Sequence, residues 1–496
     1  MKLLSVCGIY HDLNISYYDG TCVHYLKAER KLQIKHFFDK EIFNLGNTFE
    51  QYIQEYLGIG VSEIDAICLE SATFGYNGID SRELFASQLY TKYRDKIFVV
   101  DHHYLHALST TILGFEPDIS IVIDGQGAEY SWSVFDHDSR VEYGIGLEHG
   151  SIGYGITFLA TQMGVTGHIL DLSGKLMGLQ SYGKVDTTYY NSLQQYNIYN
   201  LGSKINRFDG YRTAEYGMYD ISKYPGDKLD AAKTLHQKTE NIICDLFAKY
   251  ADKNTKIAYS GGVAQNVIWN TKLKDLYPNL EILPHCADEG LSVGGLEFLR
   301  RHFNLKPFCY DKFPYMQSDT DTEIASSDTI QKTAEYLQQG KIVAWYQNNG
   351  EVGPRALGNR SILMDPRIPN ARDTINKIKR REYYRPFGAS VLEEYAKEYF
   401  NLKYSNPYML YVGTTQVPGL EAITHVDGTC RVQTVHSGQF RELLQQFYNL
   451  TNCPVVLNTS LNISGKPIAG SHEDAITEFT NTDIDVLVIG DTVYNK

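Results

Sequence analysis

The run ISIVIDGQGAEYSWSVFDH, residues 119–137, decides the fold class. An apolar, β-branched stretch from Ile119 to Ile123 enters a tight Asp-Gly-x-Gly loop at 124–127, and a second β-rich stretch leaves it. Two such stretches divided by an Asp-Gly turn signal a β-hairpin. The chain start repeats this grammar: KLLSVCGIYHDLNISYYDGTCVHYLKAER, residues 2–30, places short β-rich runs around Asp19-Gly20. Further on, Ala232, Leu235, Ile242, Ile243 and Leu246 recur at helical spacing. The strand KIAYS (256–260), then Gly261-Gly262, then a helical VAQNVIWNTKL (263–273) follow. Strand, glycine loop and helix in succession is a common layout for a nucleotide site. Strands and helices alternate, so the class is α/β.

A chain of 496 residues has room for two to four folding units. The polar stretch at about 317–328 reads as a linker, and the texture changes beyond it to a segment dense in Gly, Arg and Lys. Two domains, 1–324 and 325–496, are expected. The 46 basic and 59 acidic residues leave a net charge of -13, which argues against a broad basic surface while allowing a local basic cleft. Eight scattered cysteines without a CxxC pair read as thiols of a reducing compartment, so a cytoplasmic location is expected. The apolar start is broken by His11 and Asp12, unlike a signal peptide, and no apolar run approaches the roughly 20 residues of a membrane span.

Four constellations carry chemistry. In Asp101-His102-His103-Tyr104-Leu105-His106, a helix would put His102 and His106 one turn apart on one face and send His103 elsewhere. That spacing suits two imidazoles on one metal ion, or two histidines with separate structural roles. Asp124 and Asp288 could add carboxylates, completing a mixed set for a borderline divalent metal, or could cap a loop and a helix. In GKLMGLQSYGK (174–184), Lys175 and the glycines could approach a phosphate, or the segment could turn between two helices. In GGVAQN (261–266), the glycines permit close backbone approach to a nucleotide. The fourth segment, GEVGPRALGNRSILMDPR (350–367) followed by NKIKRREYYRPFGAS (376–390), is the most informative. Its Arg355, Arg360, Lys379, Arg381 and Arg385 alternate with buried-type residues such as Leu357, Ile362 and Phe387. Arginines wedged among apolar residues need anionic partners, and planar forks suit phosphates, so a phosphate site outweighs a solvated basic face. Asn458-Thr459-Ser460, after the strand PVVL, adds neutral donors and acceptors.

Taken in order, the segments YHD (10–12), HHYLHALS (102–109), VIDGQGAE (122–129), KLMGLQSYG (175–183), GGVAQN (261–266), GPRALGNRSILMDPR (353–367), RPF (385–387) with Ser390-Val391-Leu392, THVDGTCRVQTV (424–435) and VVLNTSLNISGKPI (455–468) resemble the NodU/CmcH family of O-carbamoyltransferases. The resemblance implies an actin-like (ASKHA) N-terminal domain, also similar to the transferase of the tRNA threonylcarbamoyladenosine pathway, and a YrdC-like C-terminal domain. It implies two steps: carbamoyl phosphate and ATP, with Mg²⁺, give carbamoyl-adenylate in the YrdC-like half, and an acceptor hydroxyl then takes the carbamoyl group at the N-terminal site. By match to its motifs, Arg355, Arg360, Lys379, Arg381, Arg385, Arg431, Asn458 and Ser460 bind ATP and carbamoyl phosphate. Gly125, Gly127, Lys175, Gly261, Gly262 and Asn266 border the adenylate. His102, His106, Asp124 and Asp288 hold a metal, iron(II) by resemblance, although the ligand types also allow Zn²⁺ or Mn²⁺. His11 and Asp12 take the acceptor's proton or orient it.

A hydroxyl on a sugar, antibiotic or other small molecule is the expected acceptor. The alternatives are a hydroxymethylpyrimidine in DNA or a nucleotide and, in another class, threonylcarbamoyl transfer to tRNA. No membrane partner is expected, and the resemblance leaves room for a homodimer. The chain departs from the family where Ser173-Gly174 replaces an acidic residue and where RPFGAS stands for RPFAPS. It is also shorter than most relatives, a loss assigned to loops around the acceptor cleft.

Overall fold

The computed structural model describes residues 1–8, 11–39, 46–71, 88–127, 129–206, 213–317 and 323–496. Tyr10 and Ala128 of the quoted motifs, and residues 318–322 of the expected linker, lie outside them. The chain forms two compact units: Met1–Glu29 with His36–Asp311, and Arg30–Lys35 with Lys312–Lys496.

The first unit is built twice on one plan. Strands β1 (Leu3–Cys7), β2 (Asn14–Tyr18) and β3 (Val23–Lys27) form an antiparallel meander. Strands β4 (Ala66–Ser71) and β5 (Ile97–Asp101) add in parallel beyond β1, giving the order β3-β2-β1-β4-β5. The meander recurs in β6 (Ile119–Gly127), β7 (Tyr130–Asp136) and β8 (Ser139–Ile145). A separate hairpin, β9 (Ser203–Asn206) with β10 (Thr213–Tyr216), comes next in the chain. Then β11 (Ile257–Ser260) and β12 (Leu280–Glu281) add in parallel, giving β12-β11-β6-β7-β8. The two sheets share one order and one set of strand directions, which is the duplicated actin-like arrangement. Every residue of β1 and β11 is buried, as expected of strands covered on both faces.

The helix Leu291–His302 packs across β1, β2 and β4 and against the helix His102–Ser109. Two small residues make that approach close: a Cβ on Gly294 would lie 2.1 Å from the Leu105 carbonyl oxygen, and one on Gly295 would lie 2.1 Å from Ser5 Oγ. The helix inferred near 230–250 spans Lys228–Tyr250. The one expected over 263–273 is split. A short 3₁₀ turn, Gly262–Gln265, is followed by Val267–Leu276, because the Asn266 side chain accepts from the Ile268 and Trp269 amides and restarts the helix. Gly174 and Lys175, read as part of a loop or turn, lie inside the helix Ile169–Leu179.

The second unit is one mixed sheet. Strands β13 (Val343–Tyr346), β14 (Arg360–Met364), β15 (Gly388–Leu392), β16 (Tyr411–Thr414), β17 (Thr429–Val435), β18 (Val455–Ser460), β19 (Val486–Ile489) and β20 (Thr492–Asn495) take the order β16-β17-β15-β18-β14-β13-β19-β20. Strands β13, β14, β15 and β19 are buried at every residue, polar ones included, and Val343, Val455 and Val486 are fully buried. The helices Ser327–Gln338 and Gly438–Thr451 pack on each other. Among the described residues, no helix is long and apolar enough to cross a membrane.

Candidate functional site

At the end of β5, the Asp101 carboxylate accepts from the Tyr104 amide at 3.0 Å and caps the helix His102–Ser109. With its start so fixed, the helix presents His102 Nε2 and His106 Nε2 together, 3.1 Å apart. Asp124, on β6, brings Oδ2 to 3.1 Å from His102 Nε2 and 3.6 Å from His106 Nε2. Asp288, just before the helix Leu291–His302, places Oδ1 at 3.7 and 3.4 Å from the same two atoms. All four donor atoms lie within 4.8 Å of one another. Ligands about 2.1 Å from one ion sit about 3.0–3.5 Å apart. The set therefore has the size and the chemistry of a divalent-cation cage.

Neighbouring groups prepare this cage. Buried Glu70, on β4, accepts from His102 Nδ1 at 2.5 Å and from the Gly8 amide at 2.8 Å. A proton held on Nδ1 turns the Nε2 lone pair inward. Asp124 Oδ1 accepts from the Gly125 and Gly262 amides at 2.7 and 3.1 Å, leaving Oδ2 for the cage. Gly261 sits at φ +92°, and a Cβ there would fall 2.2 Å from the Ile123 carbonyl oxygen, so only glycine lets β11 approach β6 here. His103 faces away, with Nδ1 2.8 Å from Ser133 Oγ. Burial opposes charge on His102 and His106. Asp288 and Glu70 overcome it at the first, Asp124 and Asp288 at the second, and both pKa values rise. Burial would lift Asp124, yet His102 and His106 hold it well below the usual carboxylate range. These carboxylates demand positive charge beside them, which protons or a metal ion that displaces them can meet.

His11 and Asp12 occupy the β1–β2 connection. His11 Nδ1 lies 2.9 Å from Asp12 Oδ2, and Nε2 lies 3.6 Å from Asp288 Oδ2. Burial lowers the His11 pKa, but Asp288 and Asp12 outweigh it and raise the value to about 9. Asp12 adopts φ 57°, an uncommon conformation for a non-glycine residue. Lys27 Nζ reaches Asp12 Oδ1 at 3.2 Å and Glu29 Oε1 at 3.1 Å. His36 links Asp12 (Nδ1 to Oδ2, 3.1 Å) to Asp171 (Nε2 to Oδ1, 3.4 Å) and stacks on His168. Asp12, Glu29 and His36 form a second donor group, but the Lys27 ammonium already sits between its two carboxylates.

Around this centre the structure gathers Gly125, Gly261 and Gly262, together with Gly127, where a Cβ would lie 2.1 Å from the His102 ring. Lys175 and Asn266 hold other groups: Lys175 Nζ donates to the Thr166 carbonyl at 2.6 Å, and Asn266 Nδ2 lies 3.0 Å from His236 Nε2.

In the second unit, the basic residues divide into two sets. Arg360 is fully buried, donating from Nη1 to the Gln347 carbonyl and from Nη2 to the Asn348 carbonyl, each at 2.6 Å, with its guanidinium over the Tyr346 ring. Lys379 Nζ is engaged by Ser460 O (2.5 Å), Ser460 Oγ (3.2 Å), Asn462 O (2.5 Å) and Asn462 Oδ1 (2.7 Å). The other set is Arg355, Arg381, Arg385 and Arg431, whose charges act on one another. Arg381 Nη2 also donates to the Arg385 and Pro386 carbonyls at 2.9 and 2.7 Å, and burial with Arg381 and Arg385 pushes the Lys379 pKa well down. Burial, then Arg355, Arg381 and Arg385, push the Arg431 pKa well down. Burial and Arg385 do the same to Arg381. Like charges gathered in this way favour an anion among them. Beside them, Asn458 Nδ2 on β18 donates to the Ala356 carbonyl at 3.2 Å and to Ser390 Oγ at 2.9 Å. Gln433 Nε2 on β17 donates to the Leu357 carbonyl at 2.8 Å. The segment after Arg355 is thereby tied to the middle of the sheet.

Sequence reading gave no site role to Glu70, Lys27, Glu29, His36, Gln433 or Ser390, although Ser390 stands in a quoted motif. Glu70 had a signal, an acid near the end of the apolar strand AICLES, and Gln433 lies in the quoted THVDGTCRVQTV. Nothing in the sequence pairs His36 with Asp171.

Comparison with known proteins decides the family. Residues 23–296 match the carbamoyltransferase N-terminus and residues 334–496 the carbamoyltransferase C-terminus. The chain belongs to the carbamoyltransferase family. It is similar to nodulation protein NolNO of Sinorhizobium fredii, at 30% identity over 96% of this chain and 78% of that one. Similarity to NolO of Bradyrhizobium diazoefficiens is 31% identity over 80% and 79% of the two chains. The 3'-hydroxymethylcephem-O-carbamoyltransferase of Amycolatopsis lactamdurans is 28% identical over 85% of each. The resemblance to the NodU/CmcH O-carbamoyltransferases is thus borne out, and the protein is a carbamoyltransferase enzyme.

Proposed function

We propose that this carbamoyltransferase makes carbamoyl-adenylate in its second unit, a YrdC-like domain spanning about 325–496, and transfers the carbamoyl group to an acceptor hydroxyl in its first. The observation that carries this reading is the group Arg355, Arg381, Arg385 and Arg431, whose crowded charges suit two phosphate-bearing substrates, carbamoyl phosphate and ATP with Mg²⁺. Water releases phosphate from carbamoyl phosphate. The carbamate formed attacks the α-phosphorus of ATP, and pyrophosphate leaves. Asn458 and Ser460 border this site, while Arg360 and Lys379 brace the segments around it.

In the first unit, the amides and glycines at Gly125, Gly127, Gly261 and Gly262, with Lys175 and Asn266, frame the adenylate. The acceptor oxygen attacks the carbamoyl carbon, and AMP leaves. His11, held by Asp12, orients the acceptor hydroxyl or, once it has given up the proton that Asp12 and Asp288 favour, takes the hydroxyl proton. A divalent metal on His102, His106, Asp124 and Asp288 would supply Lewis-acid stabilisation of the adenylate phosphate. Iron(II) is the ion the resemblance implies, and the donor set also accepts Zn²⁺ or Mn²⁺. The acceptor is a small molecule, in keeping with a relative named for 3'-hydroxymethylcephem and with the net charge of -13.

The test separates the two sites. Arg355→Ala should abolish pyrophosphate release from ATP and carbamoyl phosphate; His106→Ala should preserve release and block transfer. Loss of release in both variants would refute the division of labour. Mass spectrometry over sugars, antibiotics, hydroxymethylated nucleosides and DNA then identifies the acceptor by the gain of one carbamoyl group. A gain on DNA alone would overturn the small-molecule reading.

A further inference from the structure

Glu29 and His36 both contribute to the cluster around Asp12, yet the six residues between them, Arg30–Lys35, belong to the second unit. Arg30 is 1% exposed there. Its Nη1 donates to the Glu351 carbonyl, and its Nη2 donates to the Gly353 carbonyl at 2.6 Å. The backbone of Arg30 lies against Gly470, where a Cβ would come within 2.3 Å of the Arg30 carbonyl oxygen. Gln33 Nε2 adds a bond to the Ile468 carbonyl at 3.3 Å. This short stretch is therefore built into the second unit.

The two carbonyls that Arg30 holds lie in the connection from β13 to β14, just before Arg355. Glu351 closes the same loop from inside. It is fully buried, and its Oε1 accepts from the amides of Leu357 (2.8 Å), Asn359 (2.9 Å) and Arg360 (3.2 Å). Arg355 lies between these two anchors. A guanidinium spans the carbonyls with separate nitrogens, whereas an ammonium is a single point of charge on a flexible stem.

We propose that Arg30 is a positioning residue for the anion site: by fixing the Glu351 and Gly353 carbonyls it sets Arg355, so the second unit depends on a residue from the first thirty of the chain. This rests on the reading of Arg355 as a phosphate-binding residue of the activation step.

Amide hydrogen exchange on the full chain tests the placement directly. In Arg30→Met, the segment 350–360 should exchange at least tenfold faster while the rest of the second unit keeps its protection. Pyrophosphate release supplies the functional arm. Arg30→Met and the milder Arg355→Lys should raise the KM of the same phosphate-bearing substrate at least tenfold, and Arg30→Lys should recover part of the loss. The double variant Arg30→Met with Arg355→Lys should be no worse than Arg355→Lys alone, because two residues acting through one contact are not additive. Unchanged exchange at 350–360, uniformly faster exchange across the unit, or multiplying losses in the double variant would each overturn the proposal. A wild-type enzyme that releases no pyrophosphate would instead refute the proposed function, and the exchange result would still decide the role of Arg30.

Discussion

Replacing Glu70 by glutamine isolates one carboxylate that touches His102 without joining the cage. The two oxygens of Glu70 accept from His102 Nδ1 at 2.5 Å and from the Gly8 amide at 2.8 Å. A glutamine keeps one acceptor oxygen and turns an NH₂ toward the other donor, so one of these buried donors loses its partner. That loss should lower folding stability by about 1–3 kcal/mol. A histidine ligand that loses its orienting carboxylate binds metal about 10–100-fold more weakly, or about 1.4–2.8 kcal/mol. The assay is competition between the enzyme and a chelator for Mn²⁺, Zn²⁺ and, without oxygen, Fe²⁺, compared between wild type and Glu70→Gln. Melting curves run beside it show that the variant is folded. A folded Glu70→Gln enzyme with unchanged metal affinity would refute the argument that Glu70 prepares His102 as a ligand.

Other outcomes follow from the same geometry. Gly261→Ala forces a Cβ to 2.2 Å from the Ile123 carbonyl at a positive φ, so it should destabilise the chain by more than about 2 kcal/mol in urea unfolding. Lys379→Met leaves buried acceptors at Ser460 and Asn462 without their ammonium, and a loss of about 3 kcal/mol is expected from denaturant midpoints. The His36 pKa is raised to about 9, with burial opposing the shift and Asp12 and Asp171 prevailing. A group raised in the folded state stabilises fully below its unfolded value near 6.5 and loses that contribution as pH climbs through 9. Stability should therefore fall by up to about 3 kcal/mol across pH 6.5–9, and the fall should be shallower in His36→Gln.

Much of the site was legible along the chain because its signals are local. HxxxH on a capped helix puts His102 and His106 on one face wherever that helix packs. Asp124–Gly127, by contrast, read as a tight loop, continue β6 through an irregularity after Ile123, which still leaves Asp124 near the strand's end. The hairpins, the Lys228–Tyr250 helix and the β18 strand carrying Asn458 and Ser460 were legible for the same reason: period and turn chemistry act over a few residues. The split at Asn266 was not, since helix propensity says nothing about a side chain that prefers to cap.

What the sequence alone determines about this protein is its α/β class, its family and the residue types of its sites. What only the tertiary structure decides is which of them meet. Asp288 lies 186 positions beyond His102 and reaches it only because Gly294 lets one helix lie close on another and Gly295 lets it lie close on β1 and β4. Arg360 and Lys379 carry the same charge as Arg385, yet backbone carbonyls hold the first two while the Glu382 carboxylate faces the third. Arg30 follows Glu29 in the chain and belongs to the other unit. Charge and hydrogen-bonding capacity are written into each residue, but the partner that satisfies them is chosen by packing over long sequence distances, which no local pattern records.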